Sequence, residues 1–149
     1  MAKFIYGMQN LLNLKEKLEE QKKAAFGVAK SKLDEEERKL EVLEGKKIYY
    51  QDALVACFSS KLDLAAIKKN ETAIKVIQAN IEHQNIVIKQ AERQVELARI
   101  QLTEAMKERK THEKLREKAF EEFKSELLHE ESKEVDELVS FKYGKAKGE

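Results

Sequence analysis

Proline is missing altogether from these 149 residues, and glycine occurs only five times. A sheet protein needs turn material at every strand reversal, so both scarcities argue against a β fold. A single cysteine, Cys57, excludes an internal disulfide framework. Charge of one sign is missing too. The 29 Lys and Arg nearly cancel the 28 Asp and Glu, whereas a general nucleic-acid binder carries a basic excess. No long apolar run exists either. In the opening MAKFIYGMQNLLNLKEKLEEQ the uncharged stretch between Lys3 and Lys15 is only eleven residues long and is broken by Gln9, Asn10 and Asn13, which fits neither a signal core nor a spanning helix. The chain is therefore expected in the cytosol, with Cys57 a buried thiol at the end of a helix.

What is present is helix-forming. Ala, Glu, Lys, Leu and Arg supply 84 of the 149 residues, above the half that marks long helices and coiled coils when it comes with a 3.5–3.6 repeat. With 38% charged residues and a mean hydropathy of -0.65, little apolar surface remains for a thick core. Leu11, Leu14, Leu18, Ala25 and Val28 follow 3–4 steps, with Phe4 and Met8 leading in. The stripe resumes displaced by one residue at Leu33, Leu40, Leu43, Tyr50, Leu54 and Cys57, which predicts a register slip near Gly27. Gly27 and Gly45 each weaken a helix by about 1 kcal/mol, an amount their neighbours tolerate. One helix is predicted over about 3–58.

The second stripe is more regular. Ile67, Ile74, Ile81, Ile88, Val95 and Leu102 recur every seven residues, and Ile77, Gln84, Ala91, Ala98 and Ala105 follow three later. Alanine at every seventh position admits close approach of a partner helix. Leu115, Phe120, Phe123, Leu127, Val135 and Leu138 continue the face in a looser register. Between the stripes, Ser60 with Asp63 resembles a capping box, and Asn70 or Thr72 is a candidate cap. The fold predicted is all-α, a long antiparallel two-helix coiled-coil hairpin forming a single domain over 1–149. Its turn region is placed at about 59–71, its longer helix at about 72–142 and a frayed tail at 143–149. Helices of fifty-odd residues give a rod of roughly 80 Å. Pairing Phe58 with Thr72 sets partner numbers that add to about 130, opposes Leu11 to the neighbourhood of Ala119, and leaves everything past Leu127 overhanging. Within Ser125–Leu138, six acids (Glu126, Glu130, Glu131, Glu134, Asp136 and Glu137) face one Lys133.

Catalytic chemistry is not found. His83 falls on the outward face, and His129 opens HEESK without the second histidine a zinc helix needs. His112 lies on the seam phase, where a hydrogen-bonded, half-buried ring is expected. No glycine-rich phosphate loop occurs, and carboxylates on a two-helix rod have no pocket to shift their pKa. Neither an enzyme, nor a cofactor, nor a metal site is expected. Tyr49 and Tyr50 are adjacent, so with Tyr50 on the seam Tyr49 projects sideways as a candidate anchor.

The run FIYGMQNLLNLKEKLEEQKKAAFGVAKSKLDEEERKLEVL resembles the amino-terminal helix of the FliJ family, the coiled-coil component of the flagellar type III export apparatus. The later run HEKLREKAFEEFKSELLHEESKEVDEL extends that resemblance over almost the whole chain. It implies an antiparallel coiled coil like the shaft subunit of rotary ATPases. Such a stalk binds the hexameric export ATPase through the end carrying both termini, and it contacts the export gate and chaperone–substrate complexes. The location implied is the cytoplasmic face of the flagellar base, peripheral, with no integral membrane segment and no nucleic acid. The ATPase-binding end would then comprise Phe4, Leu11, Phe120, Phe123, Leu127, Leu128, Val135 and Leu138. The gate patch would comprise Leu43, Tyr49, Tyr50 and Ile77, while Lys39, Lys46, Ala73, Asn80 and Gln84 depart from the family's pattern. Two other readings stand beside this one: the equivalent stalk of a virulence-type secretion system, and an independent scaffold with no ATPase partner.

Overall fold

The structure is a computed structural model that describes residues 2–59 and 61–147, with side chains as far as Gly144. It contains two helices, α1 (Gln9–Ala56) and α2 (Leu64–Lys147), and no strand among the described residues. The helices pack antiparallel as a hairpin. Their exposed faces carry i,i+3 and i,i+4 ion pairs such as Lys39–Glu35, Arg99–Glu96 and Lys124–Glu121, the spacing that supports a helix from its surface.

The boundaries correct the expected ones at all four ends. α1 begins at Gln9 rather than near residue 3, because residues 2–6 are irregular and a turn at Gly7–Met8 leads in, closed by Gln9 N–H donating to the Tyr6 carbonyl at 3.2 Å. It ends at Ala56 in a tightened turn, where Phe58 N–H reaches the Val55 carbonyl and the Ser59 hydroxyl donates to the Ala56 carbonyl at 2.8 Å. α2 starts at Leu64, eight residues before the expected restart. Asp63 is its cap: Oδ1 accepts from the backbone N–H of Ala65 at 3.1 Å and of Ala66 at 3.3 Å. Asn70 and Thr72 lie inside the helix instead, and Thr72 Oγ1 donates back to the Lys68 carbonyl. Ser60, the other expected cap, lies outside the described residues. α2 continues to Lys147 where a frayed tail was expected from residue 143.

The shorter link shifts the pairing. Cross-helix partners have numbers that add to between 120 and 128, as in Glu36–Gln84, Lys47–Gln78 and Glu19–Arg109, rather than to 130. The neighbourhood of Leu11 therefore meets Arg116, which donates to Gln9, and not Ala119.

No register slip occurs in α1. Burial steps by threes and fours from Leu12 through Lys15, Glu19, Lys22, Phe26 and Ala29 to Leu33, then through Glu36 and Leu40 to Cys57. Leu11, Leu14, Ala25 and Val28 are exposed. The displaced stripe arose because polar side chains hold seam positions in the first half of α1. Counting only apolar residues follows the neighbouring face instead.

The chain divides into two compact units. One is Gln21–Thr103; the other joins the chain up to Glu20 with the chain from Glu104 onward.

Candidate docking surfaces

In the Gln21–Thr103 unit the seam is mostly apolar. Ile67, Ile77, Ile81, Ile88 and Ala91 are buried, and Ile74, Val95, Ala98 and Leu102 are half-buried. One layer is polar. Glu36 is only 3% exposed, and Gln84 opposite it donates Nε2–H to both the Glu36 carboxylate at 2.6 Å and the Glu36 carbonyl at 2.9 Å. Lys32 and Lys39, one on each side along α1, reach the same carboxylate at 2.9 and 3.2 Å. Lys32, then Gln84 and Lys39, hold the Glu36 carboxyl down at about 2, against an ordinary value of 4.5. Lys32 is raised in turn by Glu36. This layer separates two open grooves of about 580 and 500 Å³, where no pocket was expected. Gln84 lines the first with Val42, Leu43, Asn80 and His83; Glu36 lines the second with Ala29, Val87 and Ala91. Glu36 is held in its ionised form and is not an acid awaiting a proton.

The patch at Leu43, Tyr49, Tyr50 and Ile77 is divided by the fold. Leu43 and Tyr50 are half-buried, Ile77 is buried in the seam, and Tyr49 stands 68% exposed. The Tyr49 ring meets Tyr50 edge-on, with centroids 5.3 Å apart.

The other unit is built differently. Leu12, 3% exposed, and Ala105 are the buried apolar side chains among its described residues. Seam positions around them hold ion pairs: Lys15 with Glu108 at 2.9 Å, and Arg109 with both Glu19 and Glu113. Lys15 lowers the Glu108 carboxyl, and Glu113 with Glu19 raises the Arg109 guanidinium. His112 is half-buried as expected, but its Nδ1 is sealed from solvent with no hydrogen-bond partner among the described residues. Phe4 packs on Phe120 and Phe123, with centroids 5.1 and 5.4 Å apart, and Arg116 lies over its ring. Leu127 is the last half-buried residue among those described. From Leu128 to Gly144 every side chain is exposed, including Val135, Leu138, Val139 and Phe141.

A family model described as the flagellar FliJ protein matches residues 5–148. The chain belongs to the FliJ family. A member of this family is a component of the flagellar export apparatus, a type III secretion machine. Searches of the curated proteins and of the solved structures find no match. No described helix is long and apolar enough to cross a membrane. Among the described residues no group of three His, Cys, Asp or Glu side chains is placed to hold a metal ion.

Relative to the sequence, the fold brings Phe4, Phe120 and Phe123 together and leaves Leu128, Val135 and Leu138 uncovered on α2, while Leu11 is exposed on α1. Glu36, Arg109, Leu12 and the Asp63 cap escaped sequence reasoning. Extending the 3–4 steps through polar residues would have found the first three. Asp63 followed by LAAIKK was readable as a cap on its own.

Proposed function

We propose that this FliJ-family chain is a non-enzymatic stalk at the cytoplasmic face of the flagellar base. It binds the hexameric export ATPase and couples it to the export gate and to chaperone–substrate complexes. The observation that carries this reading is the stretch of α2 beyond Leu127, in which Leu128, Val135, Leu138 and Phe141 are exposed. In water those side chains gain nothing by being apolar. Seated in a ring, each fully buried one contributes roughly 1.5–3 kcal/mol before ordering costs. The six acids of Ser125–Leu138 steer it toward a basic ring mouth. Phe4, Phe120 and Phe123 brace the base of this segment, and Leu11 adds an exposed apolar side chain on α1. At the gate patch, Tyr49, with Leu43 and Tyr50 beside it, offers an accessible anchor, and the buried Ile77 acts by shaping the seam beneath. The coupling is differential binding: the stalk favours some ring conformations over others.

The test is the full-length chain carrying Leu128→Ser, Val135→Ser and Leu138→Ser, assayed for binding to the hexameric ATPase and stimulation of ATP hydrolysis. Loss of both with an unchanged helical spectrum is expected. Tyr49→Ala with Tyr50→Ala should retain the ATPase and weaken gate binding. Undiminished stimulation by the triple variant refutes the stalk reading.

A further inference from the structure

The two grooves that meet at the Glu36–Gln84 layer have a composition that names their ligand's chemistry. Their floors are apolar and partly small: Ala29, Val87 and Ala91 in one, Val42 and Leu43 in the other. Small side chains on a seam leave room for another apolar surface to seat. The rims carry four cations, Lys32 and Arg93 beside one groove and Arg38 and Lys39 beside the other. Only two carboxylates line them, Glu35 and Glu36, and both come from α1. Glu36 is already engaged by Lys32, Lys39 and Gln84, and Glu35 lies 3.9 Å from Lys39. Arg38 and Arg93 make no ion pair among the described residues, so the surface offered is apolar with unspent positive charge. A fitting occupant is a helix with one apolar stripe bordered by carboxylates.

The chain itself carries such a helix. Leu128, Val135, Leu138 and Val139 recur at i, i+7, i+10 and i+11, which is one face of α2, and all four are exposed. Glu134 and Asp136 flank that face, on a segment with six acids and a single lysine.

We propose that the pair of grooves flanking the Glu36–Gln84 layer of one copy seats the acidic end of α2 from a second copy. Each copy has one such pair and one such end, so the contact is heterologous, formed by two different surfaces. The contact is set by apolar burial and oriented by charge, and it is independent of the export reading, because it needs only the purified chain. Where the export reading also holds, the end of α2 has two competing destinations, and engagement by a ring would free the grooves.

The experiment is sedimentation velocity on the full chain over a concentration series, at low and at high salt. Average mass should rise above the 17.3 kDa of one chain with concentration and fall back toward it as salt screens the rim. Arg38→Glu with Arg93→Glu should weaken self-association by about tenfold or more, and Glu134→Lys with Asp136→Lys should do the same. Mixing the two double variants restores complementary surfaces, so association should return in the mixture. A chain that stays monomeric throughout overturns the proposal. So does association indifferent to either pair of reversals, or a mixture that stays dissociated while each variant keeps its helical spectrum.

Discussion

The same two helices build two units by different physics. Within Gln21–Thr103, isoleucine and alanine supply the buried apolar seam, and the buried polar layer there is the hydrogen-bonded Glu36–Gln84 pair. In the unit holding the rest of the chain, Leu12 and Ala105, the two buried apolar residues among those described, stand among Lys15–Glu108 and Arg109–Glu19–Glu113. Apolar burial keeps its strength in salt, whereas partly exposed ion pairs are screened and contribute little in isolation. The difference teaches that helix content says nothing about where a hairpin is tightly held. Most of the buried apolar side chains lie in the Gln21–Thr103 unit, and the other leaves Leu128, Val135, Leu138 and Phe141 exposed.

The sharpest way to break this comparison is Leu12→Ala. It removes the single large aliphatic side chain buried among the described residues of its unit, at a cost of about 2–5 kcal/mol. Because little else is buried there, hydrogen exchange should speed up across residues 9–20 and 104–123 and stay unchanged near Ile81 and Ile88. Equal loss of protection in both units would mean that they do not differ as described.

Overpacking the better-filled seam is the next largest effect. Ala98, half-buried on the seam, lines neither groove and so has no open space beside it to take a ring; Ala98→Phe should cost about 1–3 kcal/mol. His83→Phe, on the exposed wall of the neighbouring groove, should leave the melting temperature almost unmoved. Matching melting temperatures would place the seam elsewhere.

The fold class was legible because Ile67 through Leu102 repeat every seven residues in an uninterrupted series, and Ala91 and Ala105 fall on the tight side of that seam. The seam of α1 was not legible from hydrophobicity. Lys15, Glu19 and Lys22 occupy its positions, because a long stem covers apolar surface while its charge finds a partner across the helices. Glu36 stayed hidden for the same reason: a carboxylate is rarely buried unless it is paired, and its pairs come from residues 32, 39 and 84 together. The exposed end of α2 was readable from chain length alone, since the second stripe outlasts the first. The grooves were not, because they depend on which small side chains face each other.

The smallest effect concerns the acid response of Glu36. Its carboxyl titrates at about 2 in the folded chain against an ordinary 4.5, so folding favours the ionised form. The stabilisation is therefore complete above about 4.5 and is lost as pH falls from there toward about 2. Glu108, lowered beside Lys15, adds a loss of the same sign in the other unit. Exchange protection near Ile81 and Ile88 separates the two, because that segment lies in the unit that contains Glu36. In the parent chain that protection should decline through the window from 4.5 to 2. Glu36→Gln, which cannot ionise yet still fills the layer and accepts from Gln84, should flatten this decline while leaving the decline around Glu108 in place. An undiminished acid response near Ile81 in Glu36→Gln would mean that the layer is held by shape and burial, and that the charge of Glu36 adds nothing to the stability of its unit.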